Sequence, residues 1–187
     1  LGSSSAFTVG LLNALYALQG KMINKKRLAF EAINVEQEMI KEAVGSQDQI
    51  AASFGGFNKI VFSANSIEVN PVTISNENLM RLQSHLMLFF TGFPRFAVEI
   101  EKEKLQNLDK KKHELRAMHR LVESAIDILN DGVDGYDDFG RLLHENWLLK
   151  KSLSDKVSTA QIDDIYSKGM AMGALGGKIL GAGGGGF

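Results

Sequence analysis

The chain has no cysteine, no long apolar run and no excess of charge of one sign. The absence of cysteine excludes disulfide bonds, thiolate catalysis and zinc sites of the cysteine type. The longest apolar stretch near the middle, residues 86–90, is far shorter than the roughly 20 residues of a membrane-spanning helix. Lysine plus arginine (21) nearly balances aspartate plus glutamate (22), which argues against a protein that coats nucleic acid or an acidic membrane. We therefore expect a soluble protein that contacts neither.

The sequence does contain enough apolar side chains for a sizeable core. Its 187 residues are 44% hydrophobic, which predicts a globular protein. It begins without methionine, in a serine-rich turn, and stops just after four consecutive glycines, so we expect both ends to be cut. The four histidines show no metal-ligand spacing and are expected to be ordinary surface or core residues; they are His85, His113, His119 and His144.

Hydrophobic periodicity predicts both helices and strands. In the second helix, Leu28, Ala32, Val35 and Met39 form one apolar stripe. The middle of the chain is predicted to be rich in strands, and the second half to be helical. The predicted helices are residues 6–18, 25–44, 47–53, about 96–130, 136–152 and 158–173, and the predicted strands are 58–62, 66–72 and 86–91.

The opening segment, LGSSSA, places small residues and hydroxyls at the start of a helix. Free backbone N–H groups gather at such a helix start and suit a phosphate. Simple N-capping by a serine is the alternative interpretation. This segment alone leaves both open, although three serines after a glycine exceed what one cap needs.

Two acidic residues, Glu36 and Asp48, lie at positions that suggest a functional role. Glu36 has Ala32, Ile33, Met39 and Ile40 as its helical neighbours, so its carboxylate needs a partner, which could be a metal or a structural ion pair. Asp48 lies in the first turn of the next helix. There it is either a favourable charge on the helix dipole or part of a polar site.

The segment before that helix has the spacing of a capping box. Ser46 would cap the helix, and Gln49 would reach back to the backbone of Ser46. This predicts a short helix over residues 47–53, ending before the Gly55-Gly56 turn.

The C-terminal segment GGKILGAGGGGF is too rich in glycine to be a stable helix or strand throughout. It therefore implies close backbone approach or positive φ angles. A dinucleotide fingerprint is discounted because a helix rather than a strand precedes it, and a flexible linker is the remaining alternative. Lys178 fails the phosphate-loop pattern, since Ile179 follows it where serine or threonine is required.

Taken together, LGSSSA, then VEQEMIKEAVGSQDQIAASFGG, then GALGGKILGAGGGGF resemble the three-motif pattern of the GHMP kinases. The resemblance spans nearly the whole chain. With LLHENWLLKKSLS between the second and third motifs, it is most similar to the branch that phosphorylates a heptose phosphate. The first motif of the family, near the N-terminus and important for substrate contacts, is absent from this chain.

The resemblance implies an ATP-dependent sugar kinase that uses Mg²⁺. ATP would be bound by Leu1, Gly2, Ser3, Ser4, Ser5 and Ala6. By the same resemblance, Ser4 and Glu36 are metal ligands and Asp48 is the catalytic base, since the glutamate of the family lies about twelve residues before its catalytic aspartate. The substrate or active-site loop would include Lys178, Gly181, Gly183, Gly184 and Gly185, and Arg95 is a further candidate for a phosphate or substrate contact.

The implied acceptor is the anomeric hydroxyl of D-glycero-D-manno-heptose 7-phosphate, in the biosynthesis of nucleotide-activated heptose for cell-surface glycans. Alternatives are another GHMP sugar kinase, such as an L-fucokinase or galactokinase, and a non-catalytic nucleotide-binding relative. A cytoplasmic protein without nucleic acid or membrane partners is expected, with a homodimer as one candidate assembly.

The resemblance also implies an α+β, two-lobed kinase fold. Its N-terminal lobe is related to the second domain of ribosomal protein S5, and its C-terminal lobe is ferredoxin-like. We expect residues 1–78 to be part of the N-terminal ATP-binding lobe and residues 79–187 to form the C-terminal lobe.

Overall fold

A computed structural model describes residues 2–42, 44–64, 66–92, 108–130 and 135–187. Leu1, Arg95 and the first part of the helix predicted over residues 96–130 lie outside the described residues. The chain forms two compact units, Leu1–Thr73 and Ile74–Phe187. The predicted assignment of residues 1–78 and 79–187 to two kinase lobes stays a prediction.

The described residues of the first unit form three helices, a short π-helix and one β-hairpin. In chain order these are α1 (Ser3–Leu18), α2 (Lys25–Asn34), the π-helix (Val35–Met39), α3 (Gln47–Phe54), β1 (Asn58–Phe62) and β2 (Ile67–Pro71). Helix α1 packs on both α2 and α3, and α2 packs on α3. Val9, Leu28 and Ala32 form the buried contact between α1 and α2.

The two strands form an antiparallel pair in which Ile60 lies opposite Val69. Strand β1 has the predicted bounds, and β2 lies within its predicted range. The prediction of a strand over residues 86–91 is wrong, because this segment has no ladder partner among the described residues. Its five apolar side chains, Leu86 to Phe90, are all exposed.

Among its described residues, the second unit consists of helices and the segments that connect them, and it ends in a glycine-rich loop. It contains α4 (Asn76–Ser84), a 3₁₀ turn (Leu108–Lys111), α5 (Lys112–Asn130), α6 (Tyr136–Lys151) and α7 (Ala160–Ala171). Helix α5 packs on α6. Trp147 of α6 is 1% exposed and belongs to the core of this unit with Val157, Ile162, Ile179 and Ala182. Within the described ranges, no helix is long and apolar enough to cross a membrane.

The second predicted helix ends earlier than expected. It becomes a π-helix at Val35, and Met39 and Ile40 are exposed instead of continuing the apolar stripe. The cause is the wider turn, in which the N–H of Ile40 donates to the carbonyl of Val35, five residues back, at 2.9 Å. The extra residue rotates the side chains that follow relative to an α-helix.

Candidate active site

Helix α1 begins at a glycine rather than at a capping serine. Gly2 is the N-cap residue, with φ +56°, and the first backbone hydrogen bond runs from the N–H of Ala6 to the carbonyl of Gly2 at 2.8 Å. The backbone N–H groups of the three serines in this first turn have no partner within the helix. Serine N-capping, one interpretation of the sequence, is therefore not what the structure uses.

The third serine of this turn contacts the buried glutamate. The Ser5 hydroxyl donates to Oε2 of Glu36 at 2.9 Å. Both residues are buried, with Ser5 4% and Glu36 2% exposed. Ser3 and Ser4 are exposed. The serine beside the carboxylate is thus Ser5, while the metal-ligand role of Ser4 stays a prediction.

A second donor reaches the same carboxylate oxygen from helix α3. The Nε2 group of Gln49, which is fully buried, donates to Oε2 of Glu36 at 2.5 Å. The predicted capping box is therefore wrong, because the side chain of Gln49 faces Glu36 and Ser46 makes no side-chain cap bond. The competing contact with a buried anion is stronger than a neutral cap.

Asp48 lies directly against the start of α1. A Cβ atom placed on Gly2 would lie 3.2 Å from Cγ and 3.3 Å from Oδ2 of Asp48, so the aspartate side chain fills the space beside the glycine. Gly2 is needed here for its positive φ and for this close approach. The structure therefore brings Gly2, Ser5, Glu36 and Asp48 together at one helix start.

Gln37 ties the π-helix to the turn that precedes α3. Its Nε2 group donates to the carbonyl of Val44 at 2.9 Å and to the hydroxyl of Ser46 at 3.1 Å. Because Ser46 is the N-cap residue of α3, this pair of bonds sets where α3 begins relative to the π-helix. Gln37 thereby helps to hold the acidic residues of both elements together.

The carboxylate of Glu36 keeps one oxygen without a partner. Its Oε1 atom is buried and accepts no hydrogen bond, and no cation among the described residues pairs with the side chain. The structural ion pair considered from the sequence is therefore not formed within the described residues. A buried carboxylate oxygen without a partner is costly, and a cation would satisfy it.

This donor set fits Mg²⁺ in the presence of phosphates. The part of the chain that the structure describes has no group of three or more histidine, aspartate or glutamate side chains that would form an all-protein metal cage. Mg²⁺ is usually held by one or two carboxylates together with water and the phosphates of a substrate. Glu36 would supply that protein ligand, beside the open N–H groups of α1.

The glycine-rich loop near the C-terminus is fixed within the second unit by several backbone contacts. Lys150 of α6, only 6% exposed, donates to the carbonyls of Ile179 at 2.7 Å and of Gly181 at 2.6 Å. At the other end of the loop, Thr91 and Gly186 exchange hydrogen bonds between 2.8 and 3.0 Å. The loop is therefore held at both ends, which argues against a flexible linker.

Gly183 approaches the backbone of a neighbouring turn. It has φ +106°, and a Cβ atom on it would lie 2.8 Å from the carbonyl oxygen of Val157. The adjacent Gly184 donates its N–H to the same oxygen at 2.9 Å. Any side chain at position 183 would break this contact as well as strain the backbone.

Replacing Gly183 by alanine is expected to destabilise the protein more than the same change at Gly173. Both glycines have φ near +100°, so each substitution carries a backbone strain of about 1–3 kcal/mol. Only Gly183 adds a steric overlap, because no atom lies within 4 Å of a Cβ on Gly173. Urea unfolding of both variants measures the difference, and equal free energies of unfolding would contradict the close approach.

Lys178, a candidate substrate contact, is partly buried beside helix α6. Its ammonium donates to Oδ1 of Asn146 at 2.9 Å. Burial lowers the pKa of the Lys178 ammonium. Its role toward a substrate stays a prediction, as do those of Gly181, Gly184 and Gly185.

Two residues that organise these sites are not among the predicted site residues. Gln49, predicted as part of a helix cap, bonds Glu36, and Lys150 holds the glycine-rich loop. Ser5 is a predicted ATP-binding residue, but its contact with Glu36 is not predicted. The signal for Lys150 was present, since it follows Trp147-Leu148-Leu149 and lies on the same face as Trp147. Gln49 had no comparable signal, because its contact depends on the π-helix.

Comparison with known proteins places these sites in a family. Residues 1–56 match the model of the GHMP kinases N terminal domain and residues 133–187 match that of the GHMP kinases C terminal domain. The chain is 36% identical over 191 residues to a D-glycero-alpha-D-manno-heptose 7-phosphate kinase from Campylobacter jejuni, covering 100% of this chain and 56% of that protein. It is 28% identical to a mevalonate kinase from Pyrococcus furiosus, covering 100% of this chain and 54% of that protein.

A solved structure shares the fold. The crystal structure of a D-glycero-D-manno-heptose 1-phosphate kinase from Bacteroides thetaiotaomicron superimposes with a TM-score of 0.69 at 25% identity, over 98% of this chain and 50% of that one. The chain thus spans about half the length of the relatives that it matches. The two matched regions make up more than half of the chain and include the helix start, both acidic residues and the glycine-rich loop, and this chain belongs to the GHMP kinases.

Proposed function

We propose that the protein carrying this chain is an ATP-dependent sugar kinase that transfers the γ-phosphoryl group to the anomeric hydroxyl of D-glycero-D-manno-heptose 7-phosphate. One observation carries the proposal: Glu36 and Asp48, from two different elements, meet at the open N-terminus of helix α1. Phosphoryl transfer depends mainly on positioning and on charge neutralisation, and these are the functions such an arrangement can perform.

The start of α1 would bind the phosphates of ATP. Its unpartnered N–H groups and the positive end of the helix dipole favour an anion. Because Gly2 has no side chain, Asp48 can approach the start of the helix closely, and the positive φ of Gly2 turns the chain sharply into the helix. The exposed hydroxyls of Ser3 and Ser4 are available for further contacts to phosphate or metal.

Glu36 would hold the Mg²⁺ that accompanies the nucleotide. When bound, this ion neutralises negative charge that develops on the transferred phosphoryl group. The support is the unpartnered Oε1 atom of a carboxylate that is 2% exposed. The second proposed ligand is Ser4, the residue directly before Ser5.

Asp48 would act as the general base. It is only partly buried, so a substrate hydroxyl can approach it, and it lies against the first residue of the phosphate-binding helix start. In this position it would orient the acceptor hydroxyl and accept its proton as the bond to phosphorus forms. Its place beside Gly2 would keep the carboxylate close to phosphates bound at the helix start.

The choice of acceptor rests on similarity. The relative with 36% identity carries the heptose 7-phosphate kinase name, whereas the relatives named for mevalonate, fucose and galactose have 26–28% identity. The sequence LLHENWLLKKSLS supports the same branch and contributes Trp147, Lys150 and Asn146 to the second unit.

A transfer assay with labelled ATP on the full-length protein tests this proposal. Heptose 7-phosphate is offered beside L-fucose, galactose and mevalonate, and we expect a kcat/KM for heptose 7-phosphate on the order of 100-fold or more above the others. Phosphorus NMR of the product should show a phosphate on the anomeric carbon. Preference for another acceptor would contradict the substrate, and nucleotide binding without any transfer would indicate a non-catalytic relative.

A further inference from the structure

Glu36 receives two hydrogen bonds on one oxygen and none on the other. The donors are the hydroxyl of Ser5, at 2.9 Å, and the amide Nε2 of Gln49, at 2.5 Å, and both bond Oε2. Two donors that approach from different helices fix both the position and the rotation of the carboxylate plane. Only Oε1 is left for a further partner.

The hydrogen bonds to Glu36 matter because the three side chains that form them are buried. Gln49 is fully buried, and Ser5 and Glu36 are 4% and 2% exposed, so water does not replace a lost donor. Burying a carboxylate is costly unless hydrogen bonds compensate for the lost water. The two donors therefore offset part of the cost of burying Glu36 inside the first unit.

The orientation of the Gln49 amide is dictated by chemistry. If it were turned over, its Oε1 atom would face Oε2 of Glu36, and two acceptors would repel each other. The amide oxygen of Gln49 is consequently left buried and without a partner. An unpaired buried oxygen costs free energy. That Gln49 is oriented in this way despite the cost indicates that its donor to Glu36 is required at this position.

A neutral donor also differs in effect from a cation. A lysine or arginine at position 49 would orient Glu36 equally well, but its charge would cancel the attraction of the carboxylate for a metal ion. Glutamine orients the ligand and leaves its charge available. This combination is expected of an outer partner of a metal ligand rather than of a structural ion pair.

From these contacts we propose that Gln49, assisted by Ser5, is a positioning residue that directs Oε1 of Glu36 toward a divalent cation. The inference rests on one part of the proposed function, namely that a divalent cation binds together with a nucleotide. It does not depend on which sugar is the acceptor. Gln49 itself does not touch the substrate or the metal in this proposal, and it acts through Glu36.

The test compares Gln49→Met with Gln47→Met in the full-length protein. Methionine keeps the length and the burial of Gln49 but removes the donor, and Gln47 is an exposed residue of the same helix turn. Mn²⁺ is titrated in the presence of a non-hydrolysable ATP analogue, and the free ion is followed by electron paramagnetic resonance. We expect Mn²⁺ affinity to fall about 10- to 100-fold in Gln49→Met and to be unchanged in Gln47→Met.

Three further results decide between positioning and a purely structural role. A positioning role raises the Mg²⁺ concentration for half-maximal rate while KM for the acceptor stays constant. A structural role instead lowers the melting temperature of the metal-free protein and leaves the Mn²⁺ affinity of the folded fraction unchanged, and this result would overturn the inference. If Gln49→Met does not fold, Ser5→Ala is used instead, because it removes the other donor to Glu36. We expect this variant to lose about 10-fold in Mn²⁺ affinity. Unchanged Mn²⁺ affinity would again overturn the inference.

The test of this inference can fail independently of the test of the proposed function. Mn²⁺ binding is measured without any sugar, so the effect of Gln49→Met is observed whether or not heptose 7-phosphate is the acceptor. A wild-type protein that fails to bind Mn²⁺ with the nucleotide analogue would overturn the inference. A wild-type protein that binds Mn²⁺ but does not phosphorylate the heptose would overturn only the substrate.

Discussion

Asp48→Asn is expected to lower kcat by about 10²- to 10⁴-fold while leaving nucleotide affinity nearly unchanged. The amide keeps the size and shape of the carboxylate, so the packing against Gly2 should survive. It cannot accept the proton of the acceptor hydroxyl at neutral pH. The measurement is kcat at saturating ATP and acceptor, with the dissociation constant of the nucleotide determined in parallel.

Asp164→Asn provides the matched control for this loss. Asp164 lies on helix α7, and its carboxylate pairs with Lys168 at 2.7 Å on the exposed surface. The same chemical change there removes a weak surface ion pair and should leave kcat unaltered. Full activity of Asp48→Asn would assign the proton transfer to another group and reduce Asp48 to a charge at a helix start.

Glu36→Gln is expected to reduce the affinity for the metal–nucleotide complex by about 100-fold or more, because even outer partners of metal ligands contribute 10- to 100-fold. The substitution keeps the volume of the side chain but removes the negative charge. The Mg²⁺ concentration for half-maximal rate and the Mn²⁺ affinity with an ATP analogue both measure the effect. Glu38→Gln, an exposed position in the same π-helix, is the control.

The stability of the metal-free Glu36→Gln variant distinguishes a ligand from a structural acid. A buried carboxylate with one unsatisfied oxygen costs free energy in the absence of a cation. Neutralising it should therefore leave the free energy of unfolding of the metal-free protein unchanged or raise it. A large loss of stability together with normal metal affinity would show that Glu36 serves the fold and not the cation.

Much of the first unit could be predicted because its signals are local. The hairpin of β1 and β2 follows from two strand patterns separated by a polar turn. Helix α3 has nearly the predicted bounds, although the capping box on which that prediction rests is not formed. The proximity of Glu36 and Asp48 to the start of α1 followed from the family resemblance, and the contacts of Ser5 and Gly2 are in accord with it.

The exceptions all depend on tertiary contacts. The π-helix at Val35–Met39 cannot be recognised from apolar spacing, because the pattern of Leu28, Ala32, Val35 and Met39 fits an ordinary α-helix. Residues 86–91 have the composition of a strand, but a strand needs a partner, and among the described residues none is present. The composition of a segment indicates its propensity to form a strand. Whether the strand forms depends on a neighbouring segment with which its backbone can pair.

The apolar face of α1 is a further example. Phe7, Leu11, Leu15 and Leu18 share one side of the helix, as their spacing predicts, yet all four are exposed. The side that packs within the first unit carries Ser5 and Val9 instead. Periodicity identifies a face of a helix but not which of two faces meets the neighbouring helices.

The wide turn at Val35–Met39 makes the site sensitive to chain length. Each residue advances an α-helix by about 100°, so deleting one residue between Gln37 and Met39 would restore regular winding and swing the following segment around the helix axis. Gln37 could then no longer bond both Val44 and Ser46, and Asp48 would leave its place beside Gly2. Natural variants of this protein should accept exchanges at Glu38 and Met39, the exposed residues of this turn, far more readily than insertions or deletions.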